Sequence, residues 1–575
     1  MKDRADKGIG VNGHLEDWSS INWKAVKKRV RNLRQRIYRA TQNGQWNKVR
    51  SLMKLMLRSF SNLLLSVRRV TLENAGKKTA GVDRQVVLTP EQRVKLVKEM
   101  GEYFLWQVRP TLRVYILKNN GKKRPLGIPT IRDRIAQAIV KNALEPSWET
   151  RFEANSYGFR PGRSTLDAIE QVFNRLGVGH DKWILDADVK GAFDNISHEY
   201  LLKTIGLVPG RELIKQWLKA GYVEMGQFHQ TESGTPQGGI ISPLLANIAL
   251  HGMEEFLSQF VVKIRRFNER GKVIKTQTRE RYGFVRFADD FIITARNKED
   301  IDYIKPYISG WLKNRGLELN QDKTKIVNIE DGFNFLGFNI RQNKGKCLTK
   351  PQKEKVLALL KEIREWLKRN PDVPPEAVIA KFNPIIRGWG NYYRFGVSKE
   401  VFSYFDHQVW KALYKWALRR HSKRRKKWVT KKYFNKKNGW KFFAKTKDRR
   451  GKTKTIEIVK LSKIPIQRHV KVKDKASPDD PTLHEYWKDR GTRYGKTRWI
   501  KDSKLYKVAE QQNWTCLICG EHLFNGEEID THHITKVQDG GNDNIDNLIH
   551  LHKACHLAVH SGKRSGKLRL EPDDS

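Results

Sequence analysis

Apolar residues recur at helical spacing through the first 70 residues. Val26, Val30, Leu33 and Ile37 share one face, and Leu52, Leu55, Met56, Phe60, Leu63 and Leu64 form a second run, with arginines and lysines on the opposite faces. The pattern predicts a basic helical bundle over residues 18–70. Residues 71–150 are mixed, with a turn at Asn119-Asn120-Gly121 between two basic strand-like runs. Between 180 and 345, β-like runs at 183–188, 285–287 and 291–294 alternate with helical ones. A helix is predicted over 353–370, stopped by Pro371, Pro374 and Pro375, and helices resume over 376–420. No internal repeat of the solenoid kind is present.

Charge changes the picture more than hydrophobicity does. Lysine and arginine number 112 against 62 acidic residues, a formal excess of +50 with a pI near 10.1. A compact chain so charged repels itself unless a polyanion screens it, so nucleic acid is the expected partner. The 17 Trp and 17 Tyr supply rings able to stack on bases. The excess peaks over 421–475, with 22 basic residues and three acids, Asp448, Glu457 and Asp474. Such a run is a solvated face or tail, or, because Trp428, Tyr433, Phe434, Trp440, Phe442 and Phe443 interleave with the charge, a nucleic-acid platform. Residues 476–505 read as a linker, from Ser477, Pro478, Pro481, Gly491 and Gly495. No apolar run is long enough to span a bilayer and the N-terminus has no apolar signal core, so no membrane partner and a cytoplasmic, nucleoid-associated location are expected.

Two short pieces carry the main chemistry. In Ile184-Leu185-Asp186-Ala187-Asp188 an apolar strand delivers Asp188 at its end, and in Arg286-Phe287-Ala288-Asp289-Asp290-Phe291 paired aspartates interrupt two β-prone runs, as at a hairpin tip. Adjacent carboxylates repel, and a divalent cation is the usual compensation. Nucleotidyl transfer needs such a site, because two Mg²⁺ can stabilise both the attacking 3′-hydroxyl and the leaving pyrophosphate. An Asp-Asp pair alone is common on surface turns. Near the C-terminus, Cys516-Leu-Ile-Cys519 and His552-Lys-Ala-Cys555 have the spacing of a tetrahedral structural Zn²⁺ site.

The surroundings of the aspartates resemble the group II intron reverse transcriptases. Residues 234–248, Gly-Thr-Pro-Gln-Gly-Gly-Ile-Ile-Ser-Pro-Leu-Leu-Ala-Asn-Ile, look like the family's Pro-Gln-Gly block, and 115–137, with Arg124-Pro125-Leu126-Gly127-Ile128-Pro129, like its fingers block. Residues 316–325 and Phe335-Leu336-Gly337-Phe338 look like the two following blocks, and 383–394, Asn-Pro-Ile-Ile-Arg-Gly-Trp-Gly-Asn-Tyr-Tyr-Arg, like the maturase (X, or thumb) region. The tail, with Asp530-Thr531-His532-His533, Gly540-Gly541, Asn547 and His556, resembles the HNH nucleases.

The resemblance implies an α+β chain. It would have an N-terminal helical RNA-binding extension (1–75), reverse transcriptase fingers and palm of a right-hand polymerase (76–345), and a maturase X/thumb domain (346–420). A basic DNA-binding region and linker (421–505) would lead to a zinc-stapled ββα-metal HNH domain (506–575). It makes Asp188, Asp289 and Asp290 the ligands of two Mg²⁺, and Gln237 a contact of the incoming deoxynucleoside triphosphate. Lys118 and Arg124 bind its triphosphate or are general RNA contacts, and Phe193 is the gate against ribonucleotides or a core phenylalanine. In the tail it makes His533 the general base, with His532 and His556 on one divalent ion. Asn547 braces the base-bearing loop, Asp530 assists at the metal, and Cys516, Cys519, His552 and Cys555 hold Zn²⁺. The family more often has Tyr where this chain has Phe287, so any contact made by that hydroxyl is absent. The implied function is that of a mobile-intron protein: reverse transcriptase, splicing maturase bound to intron RNA, and nuclease nicking target DNA. Three other readings fit less well, of which a free-standing homing nuclease leaves most of the chain unexplained. A host-adapted reverse transcriptase would lack the X-like block and the tail, and a non-catalytic maturase would lack the aspartates.

Overall fold

A computed structural model describes residues 15–101, 107–117, 121, 123–177, 181–269, 273–436, 439–447, 453–499 and 501–561. Three N-terminal helices, Trp23–Gln42, Trp46–Arg58 and Phe60–Arg68, pack on the long helix Ile131–Glu149. The first begins under an Asn22 cap, whose side chain accepts from the Ala25 amide, and it turns Val26, Val30 and Ile37 inward as their spacing predicts. Strand Thr111–Leu117 pairs antiparallel with Lys123–Ile128, the two basic runs on either side of the expected turn. Asn119 and Asn120 of that turn lie outside the described residues.

The palm is a four-stranded antiparallel sheet in the order Lys325–Asn328, Trp183–Asp188, Asp290–Ala295, Gly283–Phe287. Helix Lys298–Lys313 covers it, with Ile301, Ile304, Ile308 and Leu312 fully buried at helical spacing. A three-stranded sheet, Phe333–Phe335, Phe338–Asn343 and Lys346–Pro351, leads into helices Lys353–Arg369, Pro375–Tyr393 and Lys399–Arg420. The first of these stops one residue before Pro371, as the sequence predicts. The maturase-like block sits in the second and returns to the palm side: Tyr392 Oη donates to the Leu336 carbonyl at 2.8 Å, and Tyr393 Oη lies 2.9 Å from where a Gly337 side chain would begin. Gly337 has φ +84°, so only glycine meets both the turn and that close approach.

Two expectations change where the chain is basic. Of the six aromatics between 428 and 443, Tyr433, Phe434 and Phe442 are core residues, packed with Trp416 beneath the strand Lys441–Lys447; Trp428 and Trp440 are exposed. Charged neighbours hid their inward direction. The 476–505 stretch is a packed connection rather than a loose one. Asp479 takes two 2.7 Å hydrogen bonds from Arg34, and Trp487, on helix His484–Arg498, fills the space a side chain at Gly162 would need. Among the described residues no helix is long and apolar enough to cross a membrane.

The same connection is held by Asp167, which is fully buried and accepts from Arg490 at 2.6 Å, from the Val472 amide at 2.8 Å, and pairs with His469 at 3.0 Å. Burial alone would raise its carboxyl, but the His469 hydrogen bond and the Arg490 charge outweigh that and hold it down to about 2. Because the folded value lies below the unfolded one, the stabilisation is complete above pH ~4 and is lost as pH falls toward 2. As a prediction, Asp167→Ala should cost about 2–3 kcal/mol, because half-buried Arg490 and His469 lose their carboxylate and the Val472 amide its acceptor. Protease cleavage within 468–490 and the thermal midpoint would report it; a variant as resistant as wild type would show that the connection is held elsewhere.

Candidate active sites

Strand Trp183–Asp188 opens apolar, with Ile184 and Leu185 both buried, one on each face, before Asp186 and Ala187. It ends with Asp188 directly opposite Asp290 in the antiparallel register. Asp289 lies in the two-residue turn that joins Gly283–Phe287 to Asp290–Ala295, so the three predicted carboxylates converge at one end of the sheet. Burial, then the charges of Asp289 and Asp188, push the Asp290 carboxyl well above its ordinary range, and burial followed by the Asp188 charge raises Asp289. Asp188 takes hydrogen bonds from Lys323 Nζ at 2.7 Å and Asn320 Nδ2 at 3.0 Å. Three carboxylates gathered at one end of the sheet, with Asp289 and Asp290 raised by burial and by their neighbours' charge, fit a divalent-cation site, since a cation relieves that repulsion.

The turn is supported from beneath. Ala288 has φ +59°, a left-handed conformation that costs a non-glycine residue energy and needs support. Arg286 is completely buried, and its Nη1 donates to the Ala288 carbonyl at 3.2 Å and to Asn247 Oδ1 at 3.1 Å. Asn247 Nδ2 in turn donates to the Gly158 carbonyl at 2.8 Å. Gly158 passes so close that a Cβ there would lie 2.3 Å from the Ala288 nitrogen.

Nearby, Arg124 Nε donates to Gln237 Oε1 at 2.9 Å, and Gln237 Nε2 donates to Asp194 Oδ2 at 3.2 Å. This chain joins the fingers-like strand to the Pro-Gln-Gly block beside Phe193. Phe193 is buried in the palm core with its ring edge-on to Phe159, centroids 6.2 Å apart. Lys118 lies outside the described residues.

The tail brings together two further clusters. Cys516, Cys519, His552 and Cys555 are all buried, with ligand atoms within 4.8 Å of one another. His552 Nε2 faces the His522 and Leu523 carbonyls at 3.2 Å, which leaves Nδ1 toward Cys519 Sγ at 3.3 Å. A proton on Nε2 and a free Nδ1 lone pair among three thiols fit tetrahedral zinc.

The second cluster is His532, on strand Ile529–His533, with His556 and His560 on helix Lys553–Ser561. His556 and His560 Nε2 face each other at 2.9 Å, and His556 Nδ1 pairs with Asp530 Oδ2 at 3.1 Å. Asp530 thus fixes the tautomer that aims Nε2 into the cluster. Burial, then His556 and His560, depress His532 to about 4, so it stays neutral at ordinary pH, the form a metal ligand needs. The sequence reading missed His560, although a histidine four residues after His556 on a helix falls on the same face. His533 points away from the cluster's partners to Asp543 Oδ1 at 2.8 Å. Asn547 closes the loop after it, accepting from the Thr535 amide at 2.7 Å and donating to the Thr535 and Asn542 carbonyls.

Comparison with known proteins agrees with this division. Residues 18–100 match the model "N-terminal domain of reverse transcriptase", 116–340 "Reverse transcriptase (RNA-dependent DNA polymerase)", 356–434 "Group II intron, maturase-specific domain" and 516–562 "HNH endonuclease". The Group II intron-encoded protein LtrA of Lactococcus lactis subsp. cremoris is 31% identical over 415 residues, 58% of this chain and 68% of that protein. The chain belongs to the group II intron-encoded proteins. Protein YkfC of Escherichia coli (strain K12) is also similar, 36% identical over 311 residues, 49% of this chain and 81% of that protein.

As a group II intron-encoded protein the chain is multifunctional, joining a reverse transcriptase, a maturase and an HNH DNA endonuclease. Its polymerase turn gives a direct prediction. Gly158→Ala should displace Ala288 and the aspartates beside it, and complementary-DNA synthesis should fall by about 10²-fold, the scale of an ångström's misplacement. Primer extension alongside circular dichroism would measure this; wild-type rates would mean that the turn yields without moving the carboxylates.

Proposed function

We propose that Asp188, Asp289 and Asp290 hold two Mg²⁺ at the polymerase centre, and that His532, His556 and His560 hold one divalent ion in the nuclease. The observation that carries this reading is convergence. Carboxylates some hundred residues apart in sequence meet at one end of the palm sheet, and histidines from a strand and a helix meet in the tail. Bound there, the polymerase ions supply charge for the developing transition state. The protein's own groups do the rest. Arg124 and Gln237 contact the incoming deoxynucleoside triphosphate, and Phe193, edge-on to Phe159, walls off its 2′ side. His533, oriented by Asp543, takes the proton of the water that attacks target DNA. Cys516, Cys519, His552 and Cys555 hold a structural zinc that staples the ββα-metal unit, a hairpin followed by helix Lys553–Ser561.

The domain limits follow the sequence reading, with residues 1–75 and the thumb-like helices of 346–420 on intron RNA and 421–505 on DNA. In the last of these, exposed Trp428 between Arg424 and Lys432, with ring contacts of 5.3 and 4.8 Å, suits base stacking beside phosphate. The sequence of events follows from the parts. The maturase folds the intron RNA for splicing; in the bacterial cytoplasm the ribonucleoprotein reaches DNA, the nuclease nicks one strand, and the polymerase extends the new 3′ end along the RNA.

Two predictions separate the centres. Asp289→Ala with Asp290→Ala should abolish primer extension and leave splicing assistance in place, because splicing needs only the folded RNA-binding surface; loss of both activities in a folded variant would refute that separation. His533→Ala and His560→Ala should each lower DNA nicking by at least about 10²-fold, the scale of general-base catalysis, while the protein keeps its zinc. Nicking at the wild-type rate in both would make the tail a DNA-binding zinc module.

A further inference from the structure

The cluster of three cysteines and His552 does not face its own domain alone. Arg68, the last residue of helix Phe60–Arg68, is 1% exposed, and its Nη2 donates to Cys555 Sγ at 3.2 Å and to Glu527 Oε2 at 3.1 Å. Lys27, on helix Trp23–Gln42, reaches Cys519 Sγ at 3.6 Å and Glu527 Oε1 at 2.6 Å. These partners are 487 and 492 residues apart in sequence. The Arg68 guanidinium also lies 4.7 Å from the Trp23 ring, and Trp23, Val26 and Leu64 share one hydrophobic core with Cys516, Leu551 and Cys555.

Three thiolates and one imidazole around a divalent zinc carry a net negative charge, which is costly to bury unless cations and N–H donors face it. Here both cations come from the N-terminal extension. The converse holds for Arg68, a buried guanidinium that needs anionic acceptors, two of which are a thiolate and the carboxylate beside it. We propose that the zinc centre has a second function, as the dock that holds the N-terminal helices against the nuclease. Metal occupancy orders residues 18–73, and those helices in turn tighten metal binding, because the coupling of binding free energies between two sites is reciprocal. Intron-RNA affinity then depends on a metal bound at the opposite end of the sequence, a consequence that rests on the proposed RNA contact of these helices.

The test uses the full-length, zinc-loaded protein. Zinc affinity, read by equilibrium competition with a chromophoric chelator, should be about tenfold weaker in Arg68→Met and in the more peripheral Lys27→Met, and close to wild type in Arg68→Lys, which keeps an N–H donor. Stripping zinc from the wild-type chain should speed hydrogen exchange at amides of Trp23–Gln42 and Phe60–Arg68 by at least about tenfold. Wild-type zinc affinity in both methionine variants, or unchanged exchange after stripping, would overturn the dock. Binding of RNA transcribed from the flanking intron, measured on the same samples, should weaken with zinc removal. If exchange quickens while RNA affinity holds, the dock stands and the RNA contact of residues 18–73 is what fails.

Discussion

Three carboxylates in mutual reach repel one another, and much of the polymerase half is arranged to keep them together. The register of the palm sheet sets Asp188 opposite Asp290, and the left-handed Ala288 folds Asp289 in beside them. Neither constraint holds without support, because the sheet ends there and the turn is unfavourable for alanine. The support is a buried cation. Burial lowers Arg286 to about 10, with Glu153 opposing, which leaves it charged at neutral pH beneath an anionic turn. Its hydrogen bonds to the Ala288 carbonyl and to Asn247 fix the turn's backbone rather than pairing with the carboxylates.

The nuclease meets the same requirement, a preformed cation site, with the opposite chemistry. The proposed ligands there are imidazoles, and burial, with the neighbouring histidines, lowers His532 and His560. Neutral ligands do not repel when empty, so this site needs less scaffolding: one hairpin, one helix turn and the Asp530 carboxylate. The difference matches the settings. The palm carboxylates sit on a large sheet that can bear their repulsion, while the small tail has a short sheet and few apolar residues of its own.

Most of the elements and both centres were legible in the sequence because their signals are local. The strand at 183–188 and the helix halted before Pro371 follow from periodicity and breakers within a few residues, and Asp188, Asp289 and Asp290 stand in short motifs. What escaped depends on tertiary direction. Tyr433, Phe434 and Phe442 lie in a highly basic run, and only the packing of their strands on Trp416 turns them inward. Arg286 and Asn247 look like ordinary polar residues until the fold brings Gly158 against the turn. No spacing rule links Arg68 to Cys555.

These long-range contacts change how the activities relate in space. A nuclease joined through a flexible linker would search for DNA independently of the polymerase. This one has its cysteine and histidine cluster against the first and third N-terminal helices, and the connection before it is fastened to the rest of the protein at Arg34, Arg163 and Asp167. Arg34 itself lies on the same helix as Lys27, so one N-terminal helix grips both the connection and the nuclease. That helix packs in turn on Ile131–Glu149, which follows directly from the fingers-like strands. The nuclease and polymerase parts are thus joined by one continuous chain of packed contacts rather than through a loose tether.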